Sequence, residues 1–317
     1  MGIISFYHSN FHNLTLGKKI VIAGGTGFVG KYLTKQFSNL GYQVIIISRQ
    51  KENIQWQDTA GIINALENSE MLINLAGKSV DCRYNEKNKT EILKSRTETT
   101  KALGEAILKC NNPPELWINS STATIYRHAE DRPMTENKGE IGKGFSVDVA
   151  TSWEKSFFSF QLPNTRQVAL RMAIVLGKDG GVMKPFINLV RFGLGGKQGN
   201  GNQMFSWIHI EDLFNIILFF HSHCELKGVF NCSAPNPIDN KTLMKTFRQA
   251  MKTKIGLPSP VWLLKIGAII IKTETELILK SRWVVPEKLL EAGYAFKYPT
   301  IETAISNILN KAENGND

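Results

Sequence analysis

The run Ala23-Gly24-Gly25-Thr26-Gly27-Phe28-Val29-Gly30 constrains this chain more than any other stretch. It follows the apolar residues Ile20-Val21-Ile22 and opens a helical pattern carried by Phe28, Lys31, Tyr32 and Phe37. Strand, glycine turn and helix in that order are what a dinucleotide-binding turn requires. Glycine lets the backbone turn tightly and approach a pyrophosphate, whose charge meets unpaired amides at the helix N-terminus. Two glycine spacings coincide, Gly25-x-Gly27-x-x-Gly30 and Gly24-x-x-Gly27-x-x-Gly30. Residues Gly24, Gly25, Thr26, Gly27, Phe28, Val29 and Gly30 are therefore expected to hold a nucleotide.

The remainder alternates strands with helices. Gly41 stands where the first helix should end, and Gln43 to Ile47 reads as a buried parallel strand. Met71-Leu72-Ile73-Asn74-Leu75-Ala76-Gly77 is a second apolar strand running into a glycine turn, and a helical stretch follows from about Lys87 to Cys110. Pro113-Pro114 stops that helix, and Leu116-Trp117-Ile118 begins the next strand. Val168-Ala169-Leu170 and Ile174-Val175-Leu176 frame a further one, and Phe205 to Ile210 returns as a strand. This order predicts an α/β fold, a Rossmann-type doubly wound parallel sheet with a smaller, mainly helical C-terminal lobe. The expected organisation is an N-terminal extension over 1–17 and a dinucleotide-binding domain over 18–177, to which 207–233 returns. A substrate lobe is expected from 178–206 and 234–317. Gly193, Gly195, Gly196, Gly199 and Gly201 form an open segment of that lobe, expected beside a cleft.

At 317 residues, 42% hydrophobic and 21% charged, the chain can bury a substantial core. Cys82, Cys110, Cys224 and Cys232 form no close pair with metal-ligand spacing, so reduced thiols, a cytoplasmic setting and no metal are expected. Met1 to Gly17 lacks the clean apolar core of a secretory signal. Val261 to Ile271, broken by Lys265, is too short to span a bilayer and reads as a buried amphipathic helix, so no membrane partner is expected. The formal net charge of +10 suits an anionic ligand but is not concentrated in one run. No motif supports a nucleic-acid partner. A small-molecule substrate and a monomer or homodimer are the expectation.

The second strand ends Ile47-Ser48-Arg49, about twenty residues past the glycine turn. An NAD site places a carboxylate there to hold the ribose hydroxyls. Here a hydroxyl and a guanidinium take the place, with Lys51 close by. Arginine's planar, permanently charged fork suits a 2′-phosphate, so NADP(H) is the expected cofactor.

With these residues the sequence resembles the extended, atypical short-chain dehydrogenase/reductases. Within them it is similar to the NAD(P)-dependent or sugar-nucleotide epimerase-family branch, sometimes called cell-division-inhibitor-like. The resemblance runs from Lys19 to about Asn310. It rests on the glycine turn, Asn74-Leu75-Ala76-Gly77, Lys94-Ser95-Arg96 with Thr99-Thr100, and Val175-Leu176-Gly177-Lys178-Asp179-Gly180-Gly181. Three later motifs add to it: Arg191-Phe192-Gly193-Leu194-Gly195-Gly196, Trp207-Ile208-His209-Ile210-Glu211-Asp212-Leu213 and Leu289-Leu290-Glu291-Ala292-Gly293-Tyr294. The resemblance implies that Phe28 and Val29 lie under the pyrophosphate and that Ser48 and Arg49 take the 2′-phosphate. It also implies that Leu75, Ala76 and Gly77 pass near the adenine and ribose, that Glu91 and Arg96 are polar partners of the nucleotide, and that Val175 touches the nicotinamide side.

Catalysis across that superfamily rests on a Tyr-x-x-x-Lys pair, in which lysine lowers the tyrosine pKa and tyrosine exchanges a proton with substrate. Aligned on Glu154, this chain has Ser146 in the tyrosine position and Ala150 in the lysine position. Neither residue can do that work. In active relatives the segment Ser120-Ser121-Thr122-Ala123-Thr124-Ile125-Tyr126 supplies a hydroxyl to the substrate carbonyl, and Thr122 occupies that position. Tyr126 is a candidate substitute proton donor, against the ordinary role of a pocket wall. Thr122 and Tyr126 are thus the catalytic candidates. His209 and Asp212 read as structural, Trp207 and Phe205 as cleft lining, and Arg191 as a group that could hold an anionic substrate. Two functional readings follow. One is an NADP(H)-dependent oxidoreductase or epimerase acting on a nucleotide-sugar-like or small carbonyl substrate; the other is a non-catalytic, redox-responsive NADP(H)-binding protein.

Overall fold

The computed structural model describes residues 17–262, 264 and 279–313. Most of the expected N-terminal extension, and Val261–Ile271 apart from its first residues, lie outside the described residues. The main sheet is built from β1 (Lys19–Ala23), β2 (Gln43–Ser48), β3 (Ile54–Gln55), β4 (Ser69–Asn74), β5 (Leu116–Thr122), β6 (Arg166–Met172) and β11 (Gly228–Cys232). Its order is β3-β2-β1-β4-β5-β6-β11, every pair parallel. The winding reverses between β1 and β4, and the crevice above their C-terminal ends is where such sheets bind ligands.

Alternation along β1 sorts its side chains between two layers. Ile20 and Ile22 pack with Leu33 and Phe37 of α1 (Phe28–Asn39) and with Ile216 and Phe220 of α6 (Ile210–Ser222). Val21 and Ala23 face the other way, toward α2 (Thr59–Leu66), α3 (Glu86–Ile107) and α4 (Phe145–Phe158), which supply Leu66, Leu103 and Phe157. The first helix ends at Asn39, and Gly41 takes φ +88° beyond it, the left-handed step that lets the chain turn back into β2.

A second core forms around α5 (Met183–Arg191), α7 (Asn240–Ala250) and α9 (Ile301–Glu313), with Val190, Trp207, Leu243, Phe247 and Ile305 enclosed. It rests on β7 (Ile174–Gly177), flanked by β8 (Gly180–Gly181) and β10 (Trp207–His209), and on the antiparallel pair β9 (Met204–Phe205) and β12 (Ile238–Asp239). The single strand expected over Phe205–Ile210 is thus divided between two sheets. Ser206 marks the break: its hydroxyl donates to the carbonyl of Arg282 and accepts the amide of Val284, tying it to the segment before α8 (Glu287–Glu291). Trp207, expected to line the cleft, is fully buried in this core.

Candidate functional site

The glycine turn sits where three strand ends are stitched together. Gly24 N–H donates to the carbonyl of Ile47 at 2.8 Å, and Leu75 N–H donates to that of Ala23 at 2.8 Å. Gly24 has φ +81°, and a Cβ there would stand 2.8 Å from the backbone of Leu75 and Ala76. No other residue lets β1 pass so close under the end of β4. A Cβ on Gly30 would meet the Gly24 carbonyl at 2.6 Å, so α1 is seated directly on the turn. Gly27 is different. It is exposed, it is the N-cap of α1, and a Cβ there would find nothing nearer than 3.7 Å. No side chain caps the helix and its first turn holds no carboxylate. Open space before an uncapped, dipole-positive helix end fits a pyrophosphate.

Phe28 and Val29 are half-buried at the start of α1. The ring of Phe28 lies against Gly177, Gly180 and Gly181, where side chains would clash at 2.5–2.9 Å for the first two with that ring and for the third with the Val175 carbonyl. The β7–β8 hairpin, and with it half-buried Val175, is thereby held over the turn.

On the β2 side Ser48 is buried, and its Oγ accepts the Gln50 amide and Asn53 Nδ2, each at 3.0 Å. It shapes the loop that carries exposed Arg49. Glu91 comes to the same rim from α3. The Lys78 ammonium bonded to it holds its carboxyl below the ordinary value, and Lys87 and Arg49 add to the effect. Arg96 reaches beneath the β4 turn. Its guanidinium packs on Gly77, donates to the carbonyls of Lys78 (3.1 Å) and Ile92 (3.0 Å), and stacks 5.1 Å from the Trp153 ring. Burial lowers its pKa to about 10, partly offset by Tyr84. Glu91 and Arg96 therefore meet at one residue that sequence reasoning missed, Lys78. Only its place after the Gly77 turn could have flagged it. The turn itself is fixed by buried Asn74, whose Oδ1 accepts the Ala76 amide and whose Nδ2 donates to Asn119 and Thr100.

At the β5 end Thr122 is half-buried, and its Oγ1 accepts the Thr124 amide at 3.1 Å, capping the short turn Ala123–Ile125. An accepting hydroxyl keeps its own proton to give elsewhere. Two cations of the segment before α8 approach this turn: Lys280 Nζ donates to the Thr124 carbonyl at 2.9 Å, and Arg282 Nε donates to Thr124 Oγ1 at 3.2 Å. They lie more than 150 residues away in sequence, so no local pattern could have found them.

Tyr126, the other catalytic candidate, lies in enclosed surroundings. It is 1% exposed, its hydroxyl donates to Asn231 Oδ1 and accepts from Arg171 Nη1, both at 2.9 Å, and burial raises its pKa. Arg171 in turn makes a two-pronged pair with Glu154 (2.8 and 2.7 Å), which also accepts from Ser121 at 2.6 Å. Tyr126 is held by this network. Ala150 is fully buried beside it, its methyl in the cluster of Ala123, Ile125 and Val147. His209 caps α6 by accepting the Glu211 amide and lies 3.9 Å from the Tyr298 ring. Asp212 accepts the amides of Lys297 and Tyr298, anchoring the C-terminal segment. A groove of about 720 Å³, lined by Arg166, His221 and Cys224, opens at the N-terminal ends of β5, β6 and β11, away from the glycine turn. Among the described residues, no group of three or more His, Cys, Asp or Glu could hold a metal.

A glycine turn open at Gly27, below the reversal point of a parallel sheet, defines a Rossmann-type dinucleotide-binding protein of the extended short-chain dehydrogenase class. Residues 20–145 match the NAD dependent epimerase/dehydratase family, and 259–308 match a domain of unknown function, DUF1731. The chain is 30% identical over 298 residues to the human epimerase family protein SDR39U1, covering 92% of this chain and 99% of that one. It is 32% identical over 302 residues to the epimerase family protein YfhF of Bacillus subtilis, covering 92% and 97%. The crystal structure of human SDR39U1 with NADPH superposes with a TM-score of 0.82 at 31% identity over 92% of this chain and 99% of that one. A nucleoside-diphosphate sugar epimerase from Corynebacterium glutamicum follows at 0.75 and 26%, over 98% and 62%. The chain belongs to the epimerase family.

Proposed function

We propose that this chain is an NADP(H)-binding oxidoreductase of the epimerase family, acting in the cytoplasm on a small carbonyl or nucleotide-sugar-like substrate. The observation that carries the reading is the joining of an open, uncapped helix end at Gly27 to a cationic rim at Arg49 and Lys78. Gly24 to Gly30 would hold the pyrophosphate, Arg49 with Ser48 the 2′-phosphate, Leu75 to Gly77 the adenosine, and Val175 the nicotinamide side. Human SDR39U1, crystallised with NADPH, supports the choice of cofactor. When bound, NADPH supplies a hydride to a carbonyl carbon.

The protein's own contribution is orientation and polarisation. Thr122 would donate its hydroxyl proton as a hydrogen bond to the substrate oxygen, and Lys280 and Arg282 make the end of β5 electropositive, which favours charge developing on that oxygen. Purified protein should bind NADPH more tightly than NADH. It should also consume bound NADPH in single-turnover reactions with a member of a carbonyl and nucleotide-sugar panel, and Thr122→Val should slow that step about 100-fold, the effect of one lost oxyanion donor.

The burial of Ala150 and the enclosure of Tyr126 favour a second reading, a non-catalytic NADP(H)-binding protein. Tight NADPH binding with no consumption across both panels would select it.

A further inference from the structure

The net charge, spread thinly along the sequence, is gathered by the fold. From 183 to 203, over α5 and the glycine-rich segment, there are three cations (Lys184, Arg191, Lys197) and no acid; from 240 to 262, over α7 and its extension, five cations and no acid. These two stretches pack against each other. Phe186 of α5 meets Phe247 of α7, Arg248 donates to the Gly195 carbonyl, and the segments run side by side through Leu257 N–H to Gly193 O (2.7 Å), Gly196 N–H to Leu257 O (3.0 Å) and Ser259 N–H to Lys197 O (2.9 Å). Eight of the 38 basic residues therefore fall in two stretches of chain that themselves contain no acidic residue. The nearest acid in sequence is Asp239, which caps α7 and pairs with Lys241.

The same strip carries exposed apolar side chains. Phe192 is 79% exposed, Ile255 64%, Trp262 63% and Leu257 59%; with Val261 they are five of the ten large exposed hydrophobics among the described residues. Gly193 brings the two runs together, since a Cβ there would touch Ile255 at 3.6 Å. Arg191, Lys197, Lys252 and Lys254 border them and are exposed. Lys252 holds φ +54°, a left-handed step after α7 where glycine is the usual residue.

Aromatic and aliphatic side chains standing out of a basic rim match the chemistry of a bilayer interface with anionic headgroups. The apolar tips enter the headgroup boundary while the cations meet lipid phosphates and carboxylates. A nucleic acid would use the cations and leave Phe192, Ile255 and Leu257 in water, and a second copy of this chain would bring the four cations of the strip, Arg191, Lys197, Lys252 and Lys254, against four like charges. We propose that the strip formed by 191–199 and 252–262 docks this protein peripherally on an anionic membrane surface, independently of its nucleotide site.

The test is flotation of the full-length chain with vesicles of phosphatidylcholine alone and with about 30% phosphatidylserine added, at low and physiological salt. Binding is expected only with the anionic lipid and should weaken as salt rises. Lys252→Glu with Lys254→Glu should lower the bound fraction by about tenfold or more, since each lysine near such a surface contributes several-fold. Phe192→Ser with Leu257→Ser should do so at unchanged charge. All four positions are exposed, so unchanged circular dichroism melts and NADPH affinity will show that fold and nucleotide site are intact. The proposal is overturned by absence of binding to anionic vesicles at low salt, or by binding that neither double variant changes. It is equally overturned by retention on duplex DNA or RNA without vesicle binding, or by a dimer that the apolar variant dissociates while no vesicles are bound.

Discussion

Arg49 and Tyr126 show how differently two candidate residues fare once neighbours are known. Arg49 stands exposed at the rim, close enough to Glu91 to help hold that carboxyl ionised. Arg49→Ala should weaken NADPH binding about 10- to 100-fold, the loss of charge-assisted hydrogen bonds of about 1.5–3 kcal/mol, and leave NADH binding unchanged. Titration with both dinucleotides checks it. Tyr126 is enclosed, and Tyr126→Phe leaves Arg171 Nη1 and Asn231 Oδ1 short of a partner. It should cost about 1–3 kcal/mol of stability at unchanged NADPH affinity. Glu154→Gln should cost more, about 3–5 kcal/mol by urea denaturation, because it strands the buried Arg171 charge. Glu154 could be recognised in sequence only as a landmark for alignment; its ion pair depends on β6 lying beside β5, a tertiary fact.

At the scale of elements, the strand-turn-helix unit β1-α1 was legible because its constraints are local. Backbone handedness at Gly24 and close seating at Gly30 are written in residues six apart. The division of 205–210 was not legible, because what breaks that strand is the Ser206 hydroxyl bonded to the backbone of 282–284. The α6 N-terminus is a middle case. Glu211 and Asp212 stand in its first turn, where acids suit the helix dipole, yet Asp212 also grips the amides of Lys297 and Tyr298 and so anchors the segment leading into α9. Burial raises the Asp212 pKa. A folded-state value above the unfolded one means that the folded chain binds more protons in that window, so stability falls as pH rises from the ordinary carboxylate range through the raised value. Asp212→Asn carries no such titration. The stability of the native chain relative to this variant should therefore rise as pH is lowered from neutrality toward about 4, and a paired set of urea melts across that range reads it. A flat difference would mean that the carboxyl is not perturbed.

For the whole molecule, ligand binding and charge are the informative scales. The glycine turn ties together the ends of β1, β2 and β4, so a dinucleotide that binds only the folded chain should stabilise all of it. NADPH at about 100 times its dissociation constant should add about 2.7 kcal/mol and raise the melting temperature by several degrees. NADH at the same concentration should raise it less. Differential scanning fluorimetry distinguishes the two.

Legible in the chain alone were the fold class, the place of the nucleotide turn, a guanidinium instead of a carboxylate at Arg49, and the absence of the Tyr and Lys pair at Ser146 and Ala150. Each of these depends on residues near one another in the chain, where steric and charge requirements act over a few bonds. The enclosure of Tyr126, the placing of Lys78, Lys280 and Arg282 around the site, and the meeting of two acid-free basic stretches beside exposed Phe192 and Trp262 come from the packing of the fold. Those outcomes depend on distances between segments that only the packing of sheet and lobe brings within reach.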